Sequence, residues 1–225
     1  MILKEFKIHD LNLQYFAGIS QIKIDLNRII DTYKIKTEEK ALTLFFEIIS
    51  NLQDKYANSA IQFIKSRYVL NADHIFTACY YLEKAFRQNN NLSNKKNIEI
   101  LLYLAANRQI NKSIEGFGID YSDLNEQKLI SCIVSPKNNV IRIHEDLLSS
   151  LFAEELKLKI NEQNNIKINL IKTYFELSDI QINTVLKSYG ITPNNSKPSL
   201  SEVATSIYDL ICEKMALLSA ERRKS

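Results

Sequence analysis

The sequence predicts a mixed α/β fold, one compact domain over residues 1–225 in which a small mixed β-sheet packs with about seven or eight helices. Three observations lead there. With only 4 Gly and 3 Pro, the chain has too few turn-formers for a β-sandwich, a collagenous repeat or a disordered linker, so helices dominate. Four short segments nevertheless carry strand signatures, and most of the longer segments carry apolar residues at helical spacing. No internal repeat is present and every polar break is shorter than 12 residues, so nothing divides the chain.

The elements follow in order. Residues 1–36 alternate loosely between apolar and polar (Leu3, Phe6, Ile8, then Ile19, Ile22, Ile24), which predicts two short strands around a turn at Gly18 and then a short helix. Thr37 precedes Glu38 and Glu39 as an N-cap with acids in the first turn, opening a helix from about 38 to 57 with Leu42, Phe45, Ile48, Ile49 and Leu52 on one stripe. Residues 60–64 (AIQFI) read as a strand and 69–73 as a loop that caps the next helix, which buries Ile75, Ala78, Cys79, Leu82, Ala85 and Phe86. Residues 89–97 form a polar loop, with Ser93 or Asn97 as the cap of a helix that begins near Ile98, buries Leu101, Leu102, Ala105, Ile110 and Ile114, and ends around Gly116 and Gly118. Lys128 to Ser135 is a central strand closed by Pro136. A helix runs from Val140 to about Asn161, a helix-like stretch lies around Asn183 to Ser188, and the loop from Gly190 to Ser199 leads to a last helix from about Leu200 to Lys224.

Composition excludes several functions. No stretch approaches the roughly 18 uncharged apolar residues of a membrane span, and Lys4 and Glu5 interrupt any leader, so a cytoplasmic chain without membrane contact is expected. Cys79, Cys132 and Cys212 are odd in number and sit in apolar runs, which reads as buried, quiet thiols. There is no GxGxxG, GxxxxGK[ST], HExxH or GxSxG, and His9, His74 and His144 are scattered. No metal, cofactor or catalytic set is therefore expected. Acid pairs such as Glu154-Glu155 and Asp120 with Asp123 read as solvated charge or caps.

Charge distribution says more than the net +3. Between Lys55 and Lys112 nine Lys/Arg face only three acids, Asp73, Glu83 and Glu99. On the helix predicted from Ile98, the residues Asn107, Arg108, Asn111 and Lys112 share one polar face. Lys65, Arg67, Lys95 and Lys96 lie in loops that border it, and His74 and Gln109 add hydrogen-bonding groups. Such a set suits phosphates, sugar hydroxyls and bases of single-stranded RNA. Tyr80 and Tyr81 offer stacking surfaces, or simply cover core. An ordinary solvated helix face accounts for the same spacing. A different class of reading is a metabolic enzyme whose site is assembled from scattered carboxylates and His74, and a third is a pure scaffold.

The segment Asn71 to Ile119 is more specific. NADHIFTACYYLEKAF, then NLSNKKNIEILLYLAANRQINKSIEGFGI, resembles the kinase-binding subunit of the KEOPS (EKC) tRNA-modification complex, the family of the PRPK-binding protein. The likeness lies in the order His74, Ala78, Ala85-Phe86, Ser93, Glu99, Leu101-Leu102-Tyr103, Arg108-Gln109-Ile110, Ile114 and Phe117-Gly118-Ile119. Glu213 to Leu218 is similar to that family's last helix. Ala105-Ala106 departs from the family pattern, which suggests a Ser-Gly-like pair.

The resemblance implies a non-catalytic, cytoplasmic subunit without cofactors. Its implied partners are a small atypical kinase/ATPase, which it binds and activates, and tRNA, held by its 3′ CCA end. The complex modifies tRNA with threonylcarbamoyladenosine. The RNA-binding set expected here is Lys65, Arg67, His74, Lys95, Lys96, Asn107, Arg108, Gln109, Asn111 and Lys112. For the kinase, the last helix is the candidate: Met215, Leu217 and Leu218 follow Ile207, Leu210 and Ile211 in a stripe too wide for one buried face. Arg222-Arg223-Lys224 complement its dipole and suit RNA or an acidic partner.

Overall fold

The computed structural model describes residues 1–126, 129–160, 164–191 and 198–220. Its centre is a sheet of β1 (Ile2–Ile8), β2 (Leu13–Ile24), β3 (Ala60–Ile64), β4 (Leu129–Ser135) and β5 (Ala153–Leu156). The order is β1-β2-β4-β3, with β5 beside the far end of β2. Ile2 pairs with Ile19, Ile19 with Cys132, Phe63 with Ser131 and Lys23 with Glu154. Each described pairing is antiparallel, which corrects the mixed sheet expected from the sequence. β4 is buried along its whole length because helices cover both faces, and so it reads as a continuous apolar run.

Side chains alternate across that sheet into two cores. Tyr15, Ala17, Ile19, Ala60, Ile64, Ile130, Cys132 and Val134 point to one face, covered by α3 (Ala72–Arg87), α4 (Lys96–Ala105), α5 (Ile110–Phe117), α8 (Asn165–Tyr174), α9 (Asp179–Ser188) and α10 (Leu200–Ala220). Phe16, Ile22, Ile24, Ile61, Phe63, Leu129 and Ile133 point to the other. There α1 (Leu26–Tyr33), α2 (Glu38–Lys55), α6 (Tyr121–Asn125) and α7 (Val140–Ser150) cover them. The outer edge of β3 is blunted from within, since Ile61 N–H donates to Gln53 Oε1 at 3.1 Å.

Local signals set several boundaries. Thr37 Oγ1 accepts from Lys40 N–H at the start of α2, and Asn71 Oδ1 accepts from His74 N–H at the start of α3. Cys79 and Cys132 are buried, free and 3.6 Å apart at sulfur, whereas Cys212 is half-buried.

Other expectations need correction. The first hairpin turns at a 3₁₀ segment, His9–Leu11, with Asn12 left-handed at φ 45°. Gly18 instead lies inside β2, where a Cβ would stand 2.5 Å from Val140 Cγ1, so glycine admits the close approach of α7. Neither Ser93 nor Asn97 caps α4; Lys95 holds that position, and the buried Glu99 carboxylate accepts from Leu92 and Ser93 N–H groups at 2.7–3.0 Å. The helix expected to Asn161 stops at Ser150, because Phe152 turns left-handed (φ 47°) and the chain returns as β5 to complete the edge of β2. α8 has no counterpart among the expected helices, and α9 begins earlier than Asn183. With these, the described residues carry more than the seven or eight helices expected.

One break matters for the site. The single helix expected from Ile98 to Gly116 is two helices, α4 and α5, separated at Ala106 with φ 46°. Asn107 N–H donates to Leu102 C=O and Ala106 N–H to Tyr103 C=O, which closes α4 in a Schellman ending without its usual glycine. No helix among the described residues is long and apolar enough to cross a membrane.

Candidate nucleic-acid and partner interface

A cleft of about 390 Å³ opens where four segments meet. Lys65, Arg67 and Tyr68 come from the connection after β3, Ala105 and Asn107 from the end of α4, Lys112, Glu115 and Gly116 from α5, and Tyr174 and Glu176 from the end of α8. Tyr68 and Tyr174 stack with centroids 4.3 Å apart, and the Arg67 guanidinium lies 5.2 Å from the Tyr68 ring. Burial pushes the Tyr174 hydroxyl up to about 12, so it remains a neutral donor at physiological pH. Asn107 Oδ1 accepts from Gln109 N–H at 2.8 Å, which fixes the corner between α4 and α5. The cleft thus offers cations, amides and aromatic faces together.

Lys65 is less available than its position suggests. Its ammonium pairs with Asp120 at 2.7 Å and Asp123 at 3.3 Å, the two carboxylates that form the capping box of α6. Partial burial would lower its pKa, and those two hydrogen-bonded carboxylates outweigh that, so the net shift is upward. The same contact, helped by Ser122, holds the Asp120 carboxyl well below the usual range.

A second, shallower groove of about 370 Å³ adjoins the first through Asn107. Ala106, Arg108 and Gln109 form one wall, and Lys214, Leu217 and Leu218 of α10 the other. Asn111 and Lys112 stand exposed in the first turn of α5, and Arg108 and the N-cap Gln109 stand exposed just before it. Ile110 and Ile114, expected in the core, are about two-fifths exposed here, because the break at Ala106 turns α5 away from the line of α4.

Three expectations fail at this surface. His74 is fully buried: its Nδ1 accepts from Leu70 N–H and its Nε2–H donates to Leu104 C=O, so it touches no ligand. Burial lowers its pKa to about 4, leaving it neutral, and the enzyme reading built around it loses its histidine. Met215 and Leu218 are buried in the stripe with Ile207, Leu210 and Ile211, because α3 and α9 pack on α10; only Leu217 of the three is exposed, at 52%. Lys95 and Lys96 lie at the opposite end of α4, about 14 Å along its axis from Ala105, so no single basic face exists. Lys96 pairs with the buried Glu83 at 2.5 Å, and both lysines line a separate cleft with Phe46 and Phe86. The basic tail Arg222-Arg223-Lys224 lies outside the described residues.

Other groups settle into structural roles. Tyr81 stacks on Tyr103 at 5.5 Å with Tyr80 edge-on to it, covering core. Ser20, His144 and Glu155 form a hydrogen-bonded chain at 3.4 and 3.0 Å, but Ser20 is 1% exposed and meets no cavity wall described above. No group of three or more metal-ligating side chains occurs among the described residues.

Sequence reasoning missed Tyr68, Tyr174, Glu115 and Glu176. A usable signal existed only at Gly116, a glycine inside a helical pattern, which marks a close approach. A Cβ there would stand 2.3 Å from Tyr174 Oη.

A family model described as kinase binding protein CGI-121 matches residues 44–219, which takes in both the cleft and the groove. No curated protein matches the chain.

Proposed function

The chain belongs to the CGI-121 family of kinase-binding proteins, and from that premise we propose that it is a non-catalytic cytoplasmic subunit of a KEOPS-type tRNA-modification complex. In this role it binds and activates the small kinase/ATPase of the complex and holds tRNA by its 3′ CCA end. The observation that carries the RNA part is the convergence of Arg67, Asn107 and Lys112 on a cleft floored by the Tyr68–Tyr174 stack. Cations neutralise phosphates there while ring faces and amides receive unpaired bases, the usual division of labour at a single-stranded end. Lys95 and Lys96 stand apart and contribute only long-range charge.

For the kinase, Leu217 provides exposed apolar surface in the groove it shares with Arg108 and Lys214, and Ile110 and Ile114 of α5 add exposed apolar side chains. An apolar centre with a polar rim is the composition of a protein interface.

The experiment compares binding of intact tRNA and of tRNA lacking CCA, across salt concentrations, for the native chain, Arg67→Glu, Lys112→Glu and Lys95→Glu. Loss of CCA and the first two substitutions should each weaken binding, and each phosphate contact removed should reduce the salt slope by about 0.7–0.9. Equal affinity for the two tRNAs, or an effect confined to Lys95→Glu, rejects the cleft. Leu217→Asp should abolish co-purification of the kinase while leaving the circular dichroism spectrum unchanged.

A further inference from the structure

Lys65 belongs to two neighbourhoods at once. Its N–H donates to Phe117 C=O at 3.0 Å, tying the end of β3 to the end of α5, and its side chain lines the cleft. Its ammonium, however, is held by the capping pair of α6, and Leu124 of that helix is buried in the core on the opposite face of the sheet. Lys65 and Asp123 side chains are each 21% exposed, whereas Asp120 is 55% exposed, so solvent screens the Asp123 contact less than the shorter one to Asp120.

The charges around the cleft do not balance in favour of an anion. Lys65, Arg67 and Lys112 face Glu115 and Glu176 in the lining, and Asp120 and Asp123 add two further carboxylates. An entering phosphate meets a Lys65 that is already neutralised. We propose that Asp120 and Asp123 form a latch that competes with the cleft's ligand for Lys65, so that filling the cleft releases α6 on the far side of the sheet.

The latch links the two faces through one side chain. A phosphate that takes Lys65 leaves Asp120 and Asp123 with only their capping hydrogen bonds, so the first turn of α6 loosens while Leu124 and the packing on α2 keep the rest of this five-residue helix in place. The affinity of the cleft is therefore set partly by acids that never touch the ligand. This rests on the RNA reading of the cleft, and the test separates the two.

The full chain is titrated with tRNA carrying an intact CCA end, at salt from about 0.1 to 0.3 M. Asp123→Asn and the Asp120→Asn/Asp123→Asn pair should bind about two- to fivefold tighter, the size of one partly screened ion pair made available. Their salt slope should grow by about 0.7–0.9, and adding Lys65→Gln should cancel both gains. Amide exchange over residues 120–126 of the native chain should speed up when tRNA is added. If the Asp variants bind as the native chain does while Arg67→Gln and Lys112→Gln lose affinity, the cleft stands and the latch is overturned. If Arg67→Gln and Lys112→Gln also bind normally, the RNA reading is what failed, and the latch goes with it. Asp123→Asn retains the Asp120 cap, so one informative variant remains folded if the double does not.

Discussion

Tyr174 stacks on Tyr68 across 106 positions of sequence, 4.3 Å between ring centroids and 24° between planes. The stack joins α8 to the connection after β3 and makes the floor of the cleft. It exists because Gly116 has no side chain: a Cβ would lie 2.3 Å from Tyr174 Oη and 2.7 Å from Cζ.

Gly116→Ala should therefore destabilise the protein by about 1–2 kcal/mol, the cost of overpacking exceeding the gain in helix propensity. Combined with Tyr174→Ala, which removes the obstructing ring, the alanine should add no further loss. Chemical denaturation of the two singles and the double measures that coupling. Additive losses would show that the ring does not occupy this space.

Ala106 adopts φ 46° at the end of α4, a conformation that strains any residue bearing a Cβ. Ala106→Gly should raise stability by about 0.5–1 kcal/mol, although glycine loosens the unfolded chain. A higher denaturant midpoint with an unchanged slope is the expected result. A lower midpoint means that α4 continues through this position.

His74 gives the fold a defined pH dependence. Burial depresses its pKa from 6.5 to about 4, so below pH 6.5 the unfolded chain binds a proton that the folded chain refuses. Stability is complete above pH 6.5 and falls as pH drops, by about 2 kcal/mol between pH 7 and 5 from this residue. His144, also depressed by burial, adds in the same direction. Asp120 and Asp146, held low by their lysine partners, contribute their losses at lower pH. Urea titrations at pH 7 and 5 measure the fall, and His74→Gln should remove most of it.

Phe86 and Phe117 make a contrast. Phe117 is fully buried and meets His74, Tyr174 and Phe175, so Phe117→Ala should cost about 3–5 kcal/mol. Phe86, placed in the core by its spacing, is half-buried at the rim beside Lys96, and Phe86→Ala should cost only about 1–2 kcal/mol. Equal losses in thermal melts contradict this placement.

Family membership rests on a wide match, and several of the residues that carried the resemblance serve packing. His74 and Glu99 bond backbone groups inside the domain, and Leu101, Leu102 and Tyr103 are core. The cleft-lining Arg67 stands out in the sequence only as a member of a basic segment, and Lys112 also as part of a polar helix face.

The sequence by itself determined what neighbouring residues control. The caps Thr37 and Asn71 placed α2 and α3, and continuous apolar runs placed β3 and β4, because capping bonds and side-chain periods act over a few residues. Tertiary structure alone decided which apolar stripe is covered and which cation is free. Met215 is buried because other helices lie against α10, and Leu217, two residues on, faces out. Lys65 looked like a free cation until the fold brought Asp120 and Asp123, more than fifty positions away, within hydrogen-bonding reach. Tyr68 became a cleft floor only when α8 delivered Tyr174. Burial and ion pairing are properties of surfaces that meet in space, and periodicity within one segment carries no record of which distant segment will cover it.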